Sequence, residues 1–228
     1  MPIVITIDGP AGAGKSTTAR ILAERLGFLY LDTGALYRTV ALYLKEKNAI
    51  EVLVAKVTVD NLTLKNLLEG CEIEYSEDEI YLNGRPVSSD IRTPEISELA
   101  SVVSTRKVVR DYLNELQRRI ASHRDIVVEG RDSGTVVFPE AKKFFLTASL
   151  EERARRRWKE LREKGIGVEL EDIKEAIRRR DERDSSRDIA PLKLPEDAII
   201  IDSSELSPGE VVDRIINILS LNSGWWQK

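Results

Sequence analysis

Ile3-Val-Ile-Thr-Ile-Asp8-Gly9-Pro10-Ala11-Gly12-Ala13-Gly14-Lys15-Ser16-Thr17 is the stretch on which the fold of this chain turns. The apolar run Ile3 to Ile7 reads as a buried strand that stops at Asp8-Gly9-Pro10. Past the glycines, Ala19, Leu22, Ala23 and Leu26 recur on one helical face until Gly27 ends the pattern. Residues 9–16 thus match G-x-x-x-x-G-K-[ST] between a strand and a helix, the context the motif needs. Glycines at 9, 12 and 14 let backbone N–H groups turn toward phosphate oxygens, and the next helix adds the positive end of its dipole. Gly9 to Thr17 therefore form an expected ATP site, with Lys15 on the β- and γ-phosphates and the Ser16 hydroxyl on Mg2+.

Working outward, Phe28–Leu31, Ile126–Glu129, Phe144–Ala148 and Ala198–Asp202 are further short apolar runs, most of them separated by helical stretches. Such alternation predicts an α/β fold of the P-loop NTP hydrolase type, with a five-stranded parallel sheet and helices on both faces. Ligands then bind outside the carboxyl ends of the strands. Cys71 to Tyr75 and Glu79 to Leu82 alternate with period two, and the turn pairs Glu77-Asp78 and Asn83-Gly84 punctuate them, which predicts a small antiparallel insertion. Two arginine-rich helices, Glu152–Lys164 and Glu171–Arg183, flank Gly165-Ile166-Gly167, a candidate hinge for a helical lid. The expected organisation is one domain: a core of 1–60, 91–150 and 190–228, an insertion at 61–90 and a lid at 151–189.

The whole chain has 228 residues, 42% of them apolar, enough for one proper core. Thirty-five Lys plus Arg against 39 Asp plus Glu leave a net charge of −4, which gives no global attraction to nucleic acid or membrane. Cys71, the single cysteine, has no partner for an internal disulfide and reads as a small apolar strand residue. Without a signal-peptide pattern at the start or a long apolar run, a cytoplasmic location is expected. With charged residues at 32% and Cys, Met and His scarce, the composition suits a heat-stable protein.

A second site begins where the second strand ends, at Leu31-Asp32-Thr33-Gly34-Ala35-Leu36-Tyr37-Arg38. A guanidinium grips phosphate bidentately and a phenol donates to it, so Tyr37 and Arg38 suit a substrate phosphate. The plainer alternative is that Asp32 or Thr33 caps the next helix while Arg38 is solvated. Glu129-Gly-Arg131-Asp132-Ser-Gly-Thr follows the third core strand, and Arg180-Asp-Glu-Arg183-Asp184-Ser-Ser-Arg187 closes the second arginine-rich helix.

Together with Ile91-Arg-Thr-Pro-Glu-Ile-Ser and Val136-Val-Phe-Pro139, these motifs make the chain resemble the bacterial cytidylate kinases over nearly its whole length. The resemblance implies transfer of the γ-phosphoryl group of ATP to CMP or dCMP, with Mg2+; a monomer is expected, because the functional residues can all come from one chain and lid motion needs free surface. The resemblance also implies an acceptor site of Thr33, Tyr37, Arg38, Ser101, Arg110, Arg131, Asp132, Arg180, Asp184 and Arg187, beside which the insertion lies. In it, Arg38, Arg131 and Arg187 hold the monophosphate, Arg153 and Arg157 of the lid close over ATP, and Lys15, Arg131, Asp132 and Arg187 carry the reaction. An acceptor such as Asp132 with donors such as Arg110 and Ser101 matches the edge of cytosine better than that of uracil. The alternative for Arg153, Arg155, Arg156 and Arg157 is a solvated face paired with Glu151, Glu152 and Glu160. His123 reads as structural, and Ser223-Gly-Trp225-Trp226 as a surface or contact segment. Two positions depart from the family: Glu129 stands where Asp is usual, which leaves its role toward Mg2+ open, and Thr33 where Ser is frequent. The alternatives are another P-loop kinase, of shikimate or a different nucleotide, and a nucleotide-sensing module that turns nothing over.

Overall fold

The structure, a computed structural model, describes residues 2–49, 61–76, 79–163 and 165–221. The chain divides into two compact units, residues 1–31 with 124–228 and residues 32–123.

The first unit is built on a sheet of five strands: β1 (Val4–Asp8), β2 (Leu29–Asp32), β6 (Ile126–Gly130), β7 (Lys142–Thr147) and β8 (Ile199–Asp202), in the order β2-β6-β1-β7-β8. β1 lies parallel to both β6 and β7, and β7 parallel to β8. The sequence-based strand positions hold to within one or two residues. Helix α1 (Lys15–Leu26) starts after Gly14 at φ 89° and ends at Gly27 at φ 67°, where the Phe28 N–H reaches back to Ala23 O at 2.9 Å. That left-handed stop is cheap for glycine. The last helix, α8 (Pro208–Leu221), opens on a reciprocal cap in which Ser207 and Glu210 answer each other's backbone N–H groups. Ile5 and Ile7 of β1, Leu22 of α1, Phe144 and Leu146 of β7, and Val212 and Ile215 of α8 form one buried cluster. Burial of each such side chain stabilises the fold by about 1.5–3 kcal/mol. The cluster thereby fixes the root of the loop between β1 and α1.

The arginine-rich segments are helices α6 (Leu150–Glu163) and α7 (Leu170–Ser185). They share a separate small core of Ala154, Ile173 and Ile177, with Leu150, Trp158, Leu161 and Val168 around it. Gly165 between them has φ 73°.

In the second unit, α2 (Thr33–Glu46), α4 (Pro94–Val103) and α5 (Lys107–Ala121) pack together beside α3 (Asn61–Glu69). The antiparallel insertion has three strands, β3 (Ile73–Tyr75), β4 (Ile80–Leu82) and β5 (Arg85–Pro86), one more than the period-two runs suggest. A two-residue strand is too short to show alternation. Asn83 at φ 50° and Gly84 at φ 75° make the β4–β5 turn, as the Asn-Gly pair requires. Cys71 lies two residues before β3, not in it, yet it is buried. Its polar backbone is served from elsewhere, since Tyr112 donates to Cys71 O. The Glu77-Asp78 turn and the Trp225-Trp226 tail lie outside the described residues.

Candidate active site

The phosphate loop leaves β1 against the backbone of β7. A Cβ on Gly9, whose φ is 149°, would stand 2.0 Å from Leu146 O, so no other residue fits there without moving a strand. Lys15 is buried, 5% exposed, and its ammonium donates to Pro10 O at 2.8 Å. Burial, then the Arg131 charge, lowers its pKa from 10.5 to about 7, against an opposing pull from Glu129. A desolvated cation of this kind is electrostatically incomplete, and a phosphate oxygen would complete it. Ser16 and Thr17 are exposed on the first turn of α1.

Side chains of α6 and α7 grip the same loop. The Ala11 N–H donates to Asp181 Oδ1 at 3.0 Å, and Ala11 O accepts from Arg153 Nη1 at 2.9 Å. Arg153 and Asp181 are also paired with each other. Arg153 is buried, with Nε on Ala148 O at 3.0 Å, which removes it from any solvated face. Arg157, by contrast, is exposed and paired with Glu160 at 2.7 Å, and Arg155 with Glu152 at 2.6 Å. It is Arg156 that turns inward, with Nη1 3.0 Å from Ser203 Oγ. Ser203 Oγ in turn lies 3.1 Å from Ala13 O and 3.0 Å from Thr147 O, so a residue just past β8 supports the loop.

At the end of β6, the carboxylate of Glu129 is buried and accepts from Tyr30 Oη at 3.0 Å. Arg131 Nε donates to Asp184 Oδ2 at 3.0 Å. The Arg187 Nε donates to Asp184 O at 3.2 Å, and its Nη2 lies 3.7 Å from Asp184 Oδ1. Buried Asp184 is thus shared between two guanidinium groups. Arg180 is exposed, though its charge contributes to the lowered pKa of Lys15. Asp132 is buried, and Asp8 accepts from the Ser133 and Gly134 N–H groups at 3.1 and 2.7 Å. Burial raises the Asp8 pKa to about 6, in spite of those two bonds.

The remaining acceptor-site candidates belong to the second unit. Asp32 caps α2, with Oδ1 accepting from Ala35 N at 2.9 Å, and its Oδ2 takes Arg38 Nη2 at 2.8 Å. The plain capping role of Asp32 is therefore real, but it also anchors Arg38 instead of leaving it solvated. Arg110, only 2% exposed, stands over the Tyr37 ring at 5.6 Å and donates from Nη1 to Ser104 O at 3.1 Å. Thr33 and Ser101 are buried. His123 is exposed just beyond α5. The sequence reading gives Asp8, Asp181 and Ser203 no role and Arg156 only a place on a solvated face; positions at or just past a strand end were the one signal, for Asp8 and Ser203.

For Mg2+, the hydroxyl of Ser16 and the carboxylate of Glu129 are hard oxygen donors of the type this ion takes alongside water and phosphate oxygens. The residues present fit such an ion. Among the described residues no helix is long and apolar enough to cross a membrane.

A glycine loop between strand and helix, a desolvated lysine within it and a sheet with parallel neighbours define a P-loop nucleotide-phosphate-binding protein. Its relatives narrow the class. The model of the cytidylate kinase family matches residues 5–221, and the chain belongs to that family. A cytidylate kinase of Thermosipho melanesiensis is 50% identical over 220 residues, 96% of this chain and 97% of that protein. One of Pseudothermotoga lettingae is 50% identical over 216 residues, 94% and 93% of the two chains. A crystal structure of an uncharacterized protein from Eubacterium ventriosum, 14% identical, covers 97% of this chain and all of its own, with a TM-score of 0.53. It shares the fold.

Proposed function

We propose that this protein transfers the γ-phosphoryl group of ATP to CMP or dCMP, giving ADP and the corresponding diphosphate. The observation that carries the proposal is identity of half the residues, over nearly the full length, with relatives named cytidylate kinase. The geometry of the loop agrees with it.

ATP lies with its phosphates on Gly9 to Thr17, and Lys15 recovers its proton there as it takes the β- and γ-phosphates. Ser16, with Glu129 through water, would hold Mg2+, which would supply charge neutralisation at the transferring group. The acceptor takes Thr33, Tyr37, Arg38, Ser101, Arg110, Arg131, Asp132, Arg180, Asp184 and Arg187, with Asp132, Arg110 and Ser101 toward the base. Arg131 and Arg187, oriented by Asp184, meet the charge that develops on the equatorial oxygens, while Arg153 and, once released from Glu160, Arg157 belong to the ATP end. In-line positioning supplies much of the acceleration, and no enzyme-bound phosphate is needed. The segment 151–189 acts as the lid that excludes water, and 61–90 adjoins the acceptor, within a single functional domain. A cytoplasmic monomer suffices, without nucleic acid or membrane.

The test is ADP release with MgATP and each of CMP, dCMP, UMP, AMP and GMP. Turnover with CMP and dCMP well above the other three is expected. Equal turnover with all five, or none, would leave only nucleotide binding.

A further inference from the structure

Asp8 ties together two loops that leave neighbouring strands. It is the last residue of β1, so Gly9 of the phosphate loop follows it directly. The ladder between β1 and β6 ends at the pair Asp8–Gly130, one residue short of Arg131. Beyond that point the backbone pairing stops and the Asp8 side chain takes over. Its carboxylate, on a residue 2% exposed, accepts from Ser133 N at 3.1 Å and from Gly134 N at 2.7 Å. Those are the first residues of the π-helical turn Ser133–Val137, closed by Phe138 N on Ser133 O at 2.8 Å. The turn has little room to slide, because a Cβ on Gly134 would meet Thr6 Oγ1 of β1 at 2.8 Å. Arg131 and Asp132 are the two residues strung between the end of the ladder and this clamp.

We propose that Asp8 is a positioning residue for the acceptor: its carboxylate fixes Arg131 and Asp132 relative to the phosphate loop. The inference rests on the phosphoryl transfer proposed above. The loop side of Asp8 is covalent and stays in place when the carboxylate changes, whereas the turn side hangs on two hydrogen bonds. Losing the carboxylate should therefore disturb acceptor binding far more than ATP binding, which feels Asp8 only through its weak pull on the Lys15 ammonium. Asp8→Asn keeps the shape but offers one oxygen, and sets an NH2 group against a backbone N–H.

The test measures KM for CMP and for ATP, with kcat and thermal unfolding, in wild type and Asp8→Asn. Loss of a charge-assisted bond predicts a rise in KM for CMP of about 10- to 100-fold. KM for ATP should stay within about twofold, since the phosphate loop keeps its own support. A merely structural role would lower the unfolding temperature and shift both KM values alike or neither, and would overturn the proposal. Should Asp8→Asn fail to fold, Asp8→Ser, with a smaller acceptor, is read in the same way; two unfolded variants would make Asp8 a folding residue and overturn it too. Wild type that leaves CMP unphosphorylated would remove the reaction itself, while turnover without the split removes only the role of Asp8.

Discussion

ATP binding should draw close to one proton from solution at pH 8, because Lys15 is held in two different environments before and after the phosphates arrive. Burial and the Arg131 charge bring its pKa down to about 7. At pH 8 only about a tenth of the molecules then carry the proton on Lys15. Phosphate oxygens at hydrogen-bond distance favour the charged form and return the group toward its ordinary range, where it is almost fully protonated. The difference is an uptake of about 0.9 proton per ATP, and the affinity should weaken by up to about tenfold per pH unit above 7. Calorimetric titration of ATP at pH 8 in Tris and in HEPES, which differ in ionisation enthalpy, reads the uptake from the difference in observed heat. Lys15→Met should abolish it. Uptake below about 0.2 proton in wild type, or equal uptake in the variant, would refute the assignment of the proton to Lys15. The same shift has a sign for folding: the unfolded chain binds the Lys15 proton more tightly between pH 7 and 10.5, so the contribution of Lys15 to stability rises with pH across that window.

Two further perturbations address the frame around the loop. Gly9→Ala must resolve a 2.0 Å approach of its Cβ to Leu146 O at a φ that side chains rarely adopt, and should destabilise the fold by about 3 kcal/mol or more. Urea unfolding measures it, and an unchanged midpoint would mean that β7 does not confine the loop. Cys71, 2% exposed with its pKa pushed by burial from 9.0 to about 12, should alkylate with iodoacetamide at pH 8 about a thousandfold more slowly than in the urea-unfolded chain. Mass spectrometry follows the label; equal rates would contradict its burial.

The phosphate loop was legible because everything it needs is local: glycines, lysine and helix start lie within one strand-turn-helix unit. The caps were legible for the same reason, at Asp32 as at Gly27. Other features depend on distance along the chain. Asp8 is answered from residues 133 and 134, Ala11 from residue 181, and Ala13 from residue 203, and no spacing within one motif announces such partners. Arg153, Arg156 and Arg157 illustrate the limit on a single helix. Steps of three and four residues share a face almost equally, so periodicity leaves both Arg156 and Arg157 available beside Arg153. Packing selects Arg156, which finds Ser203, and leaves Arg157 to its neighbour Glu160. Strand β5 was missed because two residues carry no alternation.

Ala11 has both of its backbone groups engaged by one ion pair, its N–H by Asp181 and its carbonyl by Arg153. A phosphate oxygen that takes this N–H exchanges one anion for another instead of filling a bare donor. The displaced carboxylate still faces Arg153, so the swap strands no charge. Because the two partners sit on α6 and α7, a change at this single amide would reach both helices together.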